Sequence, residues 1–304
     1  MIQEIAPHTY HSEYAPKAPK PSDYLIIIDD RKILLKDNAA KAALDTSFEK
    51  SLPRVSELGQ ISGELGQISG KLQQGADHVP EDQLTYLFSI DEACFFFLPG
   101  TPKAEAPFEY VNEMALRELE DDYLSFGAAT AVQLAQWYTL HQFCGRCGVK
   151  TVHSKEERAI ICPKCGHIYY PRISPVVIIA ITHDDRILLT MYNRRGTKRH
   201  SLVAGFVEIG ETLEDAVRRE IMEEVGLKVR DIRYIESQPW AFSSSLISGF
   251  RAEVDGDPTV RLNTDGKAEL ASAEWFSRDQ LTVEDHSVSL TWDMIRKFKE
   301  GKLS

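Results

Sequence analysis

Two cysteine pairs constrain this chain more than any other feature. They are Cys144-Gly-Arg-Cys147-Gly and Cys162-Pro-Lys-Cys165-Gly, two CxxC knuckles with fourteen residues between them. Four thiolates at this spacing match one tetrahedral zinc ion, and because cysteine fills all four positions no place remains for water, which predicts a structural metal rather than a catalytic one. Gly148 and Gly166 follow the two pairs and let the backbone turn back toward the sulfurs. Two disulfides or a redox pair are the competing use. Disulfides need an oxidising compartment, and the first twenty residues, MIQEIAPHTYHSEYAPKAPK, hold no apolar stretch of about seven residues that would mark a secretory signal. Cys94, in the run ACFFFL, reads as a small buried hydrophobe. His153 and His167 read as surface or packing residues.

A chain of 304 residues, 43% hydrophobic and 27% charged, can bury one sizeable core and more readily two. Its apolar runs, near residues 176–181 and 94–98, are far too short to span a bilayer, so no membrane partner and a cytoplasmic location are expected. The formal net charge of -11 repels an anionic substrate at long range, so such a substrate requires a local cationic patch or a bound metal ion. Residues 24–28, 84–90 and 94–98 read as strands. Residues 57–63, ELGQISG, recur letter for letter at 64–70, a single tandem copy suited to an exposed hairpin or loop that tolerates insertion. Ala131, Leu134, Trp137, Tyr138 and Leu140 are spaced for a helix over residues 128–142 that stops at the first cysteine motif.

Residues 219–226 read REIMEEVG and crowd Glu220, Glu223 and Glu224 together. Thr212, with Asp215 three residues on, suits a helix start, and Gly226 suits its stop. Val217, Ile221 and Val225 form an apolar stripe, and at about 100° per residue the three glutamates share one sector beside it. Like charges three and four residues apart cost roughly 0.2–0.5 kcal/mol per pair, so a converging set calls for a counter-charge. Arg219 can neutralise and orient one of the three. A solvated face is the ordinary fate of a Glu-rich helix, but the longer frame overrides that reading. It runs Gly205, five residues, Glu211, seven residues, Arg219-Glu220-Ile221, one residue, Glu223-Glu224, one residue, Gly226-Leu227. At average residue frequencies such a match arises by chance on the order of once in 10⁹ starting points.

That frame is the Nudix box, and the chain resembles the Nudix hydrolases, which cleave a nucleoside diphosphate linked to another moiety. The resemblance implies an α+β chain: a Nudix α/β/α sandwich over residues 171–304, preceded by the zinc ribbon at 144–170, a connecting helix at 126–143 and an N-terminal α+β domain at 1–125. It also implies that Glu220 and Glu224 bind Mg²⁺ or Mn²⁺ directly, hard ions suited to carboxylate oxygens. Glu269 and the Ala204 carbonyl would join them, and Glu211 and Arg219 complete the catalytic set. Glu223 either assists with metal or acts as the base.

Past the box, after a strand-like stretch at 233–236, comes Ser237-Gln238-Pro239-Trp240-Ala241-Phe242-Ser243-Ser244-Ser245-Leu246. Two aromatics, Pro and Gln in a short loop can frame a base or nicotinamide ring. The segment resembles the SQPWPFPxS array of the NADH pyrophosphatase branch, with Ala241 and Ser243 in place of its two inner prolines, a change expected to make the loop less rigid. The same branch carries a four-cysteine ribbon before its Nudix domain, a joint like Tyr169-Tyr170-Pro171-Arg172, and an N-terminal domain of similar size. Carried over by position, Gln238, Pro239, Trp240, Ala241, Phe242, Ser243, Ser244 and Ser245 would contact the dinucleotide. Phe206, Tyr170, Glu157 and Ser289 would contact it too, and the resemblance further implies a homodimer. Arg194, Arg195, Lys198 and Arg199 form the one dense basic run, either at the mouth of a phosphate site or in a solvated loop.

The expected activity is metal-dependent hydrolysis of the NAD(H) pyrophosphate to AMP and nicotinamide mononucleotide. RNA bearing a 5′ NAD cap is the rival substrate, disfavoured by the net charge. From another class, a non-catalytic nucleotide-sensing regulator that binds nucleic acid through its ribbon is opposed by the intact Glu220, Glu223 and Glu224.

Overall fold

In the computed structural model, residues 1–37, 50–61, 83–119, 121–193, 199–282 and 289–303 are described. The chain separates into two units, Ile2–Arg172 and Ile173–Ser304, the latter including Met1. Residues 62–70, which hold most of the ELGQISG duplication, lie outside the described residues, as do Arg194, Arg195 and Lys198 of the basic run.

The first unit runs β1 (Tyr10–His11), β2 (Tyr24–Ile26), β3 (Ile28–Asp29), β4 (Lys32–Asp37), β5 (Lys50–Ser51), α1 (Leu58–Ile61), β6 (Thr85–Ile90), β7 (Ala93–Phe97), β8 (Phe108–Asn112) and α2 (Asp122–Leu140). One sheet has the order β1-β6-β7-β2, and a second has β3-β4-β5 with β8 also on β4. The apolar run at 24–28 is therefore not one strand: it breaks at Ile27, β2 pairing with β7 and β3 with β4. The start of the duplicated segment is not a loop, since α1 buries Leu58 and Ile61. The helix expected from residue 128 begins at Asp122, and Gly127 within it permits close approach to the first sheet. A Cβ there would stand 2.7 Å from Phe95 Cζ. Cys94 is buried in β7, as a small hydrophobe should be.

In the ribbon, β9 (Val152–His153), β10 (Ile160–Ile161) and β11 (Ile168–Tyr169) make a three-stranded antiparallel sheet with β10 central. Gly148 and Gly166 both have φ of +70°, the left-handed backbone that the knuckle turns need.

The second unit comprises β12 (Ser174–His183), β13 (Arg186–Tyr192), β14 (Val203–Phe206), α3 (Leu213–Val225), β15 (Val229–Trp240), β16 (Ser245–Val254), β17 (Leu270–Ser277) and α4 (Leu290–Lys299). The sheet order is β15-β16-β12-β13-β17, with β14 also on β12, and β12 runs parallel to β16. Successive residues of β12 point to opposite faces. Val177, Ile179 and Ile181 pack with Ala216, Val217, Ile221 and Val225 of α3. Ile178 and Ala180 pack with Leu290, Met294, Ile295 and Phe298 of α4. One strand thus feeds two cores, and the unit is an α/β/α sandwich. Full burial of Val217, Ile221 and Val225 stabilises α3 by roughly 1.5–3 kcal/mol per side chain, which fixes the rotation of its glutamate sector.

Candidate active site

Helix α3 starts where Thr212 accepts a hydrogen bond from the Asp215 N–H at 3.1 Å and stops at Gly226, φ +68°. Its last turn would leave carbonyls unpartnered, and the segment before β17 supplies the donors. The N–H groups of Arg261, Asn263 and Thr264 donate to the carbonyls of Val225 (2.9 Å), Glu224 (2.9 Å) and Glu223 (2.7 Å), and Thr264 Oγ1 donates to Met222 (2.5 Å).

Arg219 organises more carboxylates than its helical spacing indicates. Its Nε and Nη2 donate to the two oxygens of Glu211 at 2.6 and 2.9 Å, a bidentate fork, and Nη2 also reaches the Phe206 carbonyl at 2.9 Å. Nη1 donates to Glu220 at 2.6 Å and Glu223 at 3.2 Å. Two of the three helix glutamates are therefore held, where sequence spacing indicated one. The fork holds the Glu211 carboxyl down at about 2, the Arg219 hydrogen bond being the main cause. Beside it, Gly205 is a steric necessity: a Cβ on it would stand 1.9 Å from Glu220 Cδ.

Among the described residues, Glu224 has no such counter-charge. It is 5% exposed, and its Oε2 has no hydrogen-bond partner among the described residues. Burial, then the fields of Glu220, Glu269, Asp265 and Glu223, push its carboxyl up to about 8. Burial also raises Glu220, against the opposing pull of Arg219. An orphaned buried carboxylate oxygen amid four other carboxyl groups is an all-oxygen donor set short of positive charge, and a hard divalent cation fits it. Ala204 lies on β14 next to Gly205, and Glu269 is exposed just before β17.

The aromatic segment is less of a loop than its composition indicates. Residues 237–240 complete β15, with Pro239 opposite Leu246 and Trp240 opposite Ser245, so only Ala241–Ser243 and Ser244 turn. Where prolines are missing, the Ser245 hydroxyl lies 2.9 Å from that of Ser243 and donates to the Ser243 carbonyl at 3.1 Å. Trp240 and Phe242 meet edge to face at 5.0 Å, while Phe206 is 55% exposed rather than core. Gln238 is fully buried, and its Oε1 accepts the Leu290 N–H at 2.7 Å, next to Ser289, the N-cap residue that precedes α4.

In the ribbon, the Sγ atoms of Cys144 and Cys165, Cys147 and Cys162, and Cys147 and Cys165 are 3.6, 3.4 and 3.8 Å apart, all four ligand atoms lying within 4.8 Å of one another. These separations are too long for disulfides and match the roughly 3.8 Å edge of a tetrahedron with Zn–S near 2.3 Å. Tyr169 donates to Cys144 Sγ at 3.5 Å and accepts the Gly145 N–H at 2.8 Å. His153 and His167 pack on the rings of Tyr138 and Tyr169, as expected of non-ligands. Tyr170 donates to Glu157 at 3.0 Å, pairing two expected substrate contacts within the ribbon unit.

Sequence reasoning missed Asn263 and Asp265. Their signal is the polar turn Asn263-Thr264-Asp265-Gly266, ordinary turn composition that gains meaning only once the turn is seen against α3.

Two family models match the chain: the NADH pyrophosphatase zinc ribbon domain over residues 140–170 and the NUDIX domain over residues 172–298. A protein of Klebsiella pneumoniae (strain 342) described as NAD-capped RNA hydrolase NudC is 48% identical over 157 residues, 51% of this chain and 59% of that protein. A protein of the same description from Escherichia coli O1:K1 / APEC is 48% identical over 156 residues, with the same two coverages. A NUDIX hydrolase structure from Nitrosomonas europaea aligns with 52% of this chain and 91% of its own, at 23% identity and a TM-score of 0.42. The match spans about three fifths, 59%, of the length of these curated relatives.

Proposed function

We propose that this chain hydrolyses the pyrophosphate bond of NAD(H) to AMP and nicotinamide mononucleotide, a reading supported by the match of residues 172–298 to the NUDIX domain and of residues 140–170 to the NADH pyrophosphatase zinc ribbon domain. The observation that carries the proposal is Glu224, buried, unpartnered at Oε2 among the described residues and surrounded by carboxyl groups. Such an arrangement is costly unless a cation completes it. Glu220, Glu224, Glu269 and the Ala204 carbonyl would hold Mg²⁺ or Mn²⁺. When bound, the ion supplies charge neutralisation at the pyrophosphate and a lowered pKa for an attacking water.

The chain's own residues do the remainder. Arg219 keeps Glu220 and Glu223 aimed while its fork to Glu211 anchors the residues between β14 and α3. Glu223 is the most exposed of the three helix carboxylates, which suits either service to the metal or acceptance of the water proton. Phe206, Trp240 and Phe242 offer ring faces for a nicotinamide or base, with Pro239, Ala241 and the serines of the turn around them. Ser289 is a proposed contact to the same dinucleotide, and Tyr170 and Glu157 of the first unit are proposed substrate contacts by resemblance alone. The zinc is proposed to be structural and the protein a homodimer.

RNA with a 5′ NAD cap is the second reading, favoured by the descriptions of the relatives. Initial rates on NADH, NAD⁺, ADP-ribose and capped RNA at equal concentration order these substrates. NADH is expected first, and Glu224→Gln is expected to lower every rate by about 10²–10⁴-fold. Capped RNA turning over faster than NADH reverses the ordering, and cleavage unchanged in Glu224→Gln sinks the site.

A further inference from the structure

The proposed cation site draws its carboxylates from two elements that are not adjacent in sequence, α3 and the residue before β17, and one side chain joins them. Asn263 sits at φ +53°, a left-handed conformation that asparagine tolerates better than other residues with a side chain. Its N–H donates to the carbonyl of Glu224 at 2.9 Å. Its Oδ1 accepts the N–H groups of Glu269 at 3.1 Å and Leu270 at 3.0 Å, and its Nδ2 donates to the Leu270 carbonyl at 3.0 Å. On its far side the Glu269 carbonyl accepts the Asn193 N–H at 2.8 Å. Three side-chain hydrogen bonds and one backbone bond from a single residue therefore set where Glu269 stands with respect to Glu224.

We infer that Asn263 is a positioning residue for the divalent cation: it fixes the separation between Glu224 and Glu269 without touching metal or substrate. The inference rests on the functional reading above. Groups that orient ligands in this way are worth about 10–100-fold in metal affinity. The alternative is a loop anchor that any well-folded turn could replace.

Glycine at 263 keeps the left-handed backbone and the N–H to Glu224 while deleting every side-chain bond, and aspartate keeps the two acceptor bonds to Glu269 and Leu270. The test is Mn²⁺ binding to the full-length, zinc-loaded protein by electron paramagnetic resonance, alongside NADH kinetics at varied Mn²⁺. Asn263→Gly is expected to weaken Mn²⁺ by about 10–100-fold, with kcat and the KM for NADH recovering at saturating Mn²⁺ and zinc content unchanged. Asn263→Asp is expected to restore most of the affinity. Wild-type Mn²⁺ affinity in Asn263→Gly, or aspartate no better than glycine, overturns the inference alone. A wild-type protein whose Mn²⁺ binding is insensitive to Glu224→Gln overturns the functional reading as well.

Discussion

Glu224 sets opposite demands on stability and on function. A carboxyl whose folded pKa stands near 8, against about 4.3 in an unfolded chain, favours the folded state only while protonated. Its contribution is full below about pH 4 and is lost as the pH rises through about 8. The protein freed of Mg²⁺ and Mn²⁺ but retaining zinc is therefore expected to lose stability between about pH 5 and 8, by ~2 kcal/mol after allowance for solvent screening. Glu224→Gln removes that slope and is the more stable protein at pH 8, while activity falls by about 10²–10⁴-fold, the scale for a group working at the reacting atoms. Urea denaturation across pH 5–9 checks both statements, and parallel profiles for the two proteins would refute the assignment of the titration to Glu224. Glu220, Glu223 and Glu224 were legible in sequence because helical spacing alone puts them in one sector. The reach of Arg219 to Glu211 and Glu220 was not, since a helical period says nothing about a loop folded back over the helix. Asn263 was hidden for the same reason.

Among the elements, α3 and the ribbon were readable because their ends are written in local chemistry: Thr212, Gly226, Gly148 and Gly166 each have one backbone role. The end of β15 was not. Its Pro, Trp and Ser composition reads as a loop, yet the ladder to β16 continues through Trp240 because Pro239 can sit on an outermost strand of the sheet. Strand alternation then turns Gln238 inward, where its Oε1 holds the first N–H of α4. Replacing Gln238 with leucine leaves that N–H without its side-chain acceptor, at an expected cost of about 1–2 kcal/mol. Because Ser289 is next in line, the KM for NADH is expected to rise by roughly 5-fold, equivalent to about 1 kcal/mol, with Mn²⁺ affinity unchanged. Thermal melts with Michaelis–Menten kinetics decide the point. A higher KM with no loss of stability means that Gln238 acts on the dinucleotide directly rather than through α4.

At the scale of the whole molecule, the sheet order depends on long-range pairing that periodicity does not encode, as the split of residues 24–28 between two sheets illustrates. Net charge is the whole-chain property that sequence does give. At -11, the protein repels a polyanion far more than it repels NADH, and this repulsion extends about 30 Å at 0.01 M salt but only about 8 Å at 0.15 M. If capped RNA meets only this average field, its kcat/KM rises as salt is added at constant Mn²⁺, while that of NADH barely moves. A basic patch gripping the RNA backbone gives the opposite sign, because each neutralised phosphate contributes a negative slope of log affinity against log salt. We expect the rising profile. Measuring kcat/KM for both substrates between about 20 and 200 mM KCl, a range over which a multi-phosphate contact loses orders of magnitude in affinity, separates the cases by sign alone. A steep fall for capped RNA beside a flat line for NADH would make RNA binding a property of this surface and place capped RNA first among its substrates.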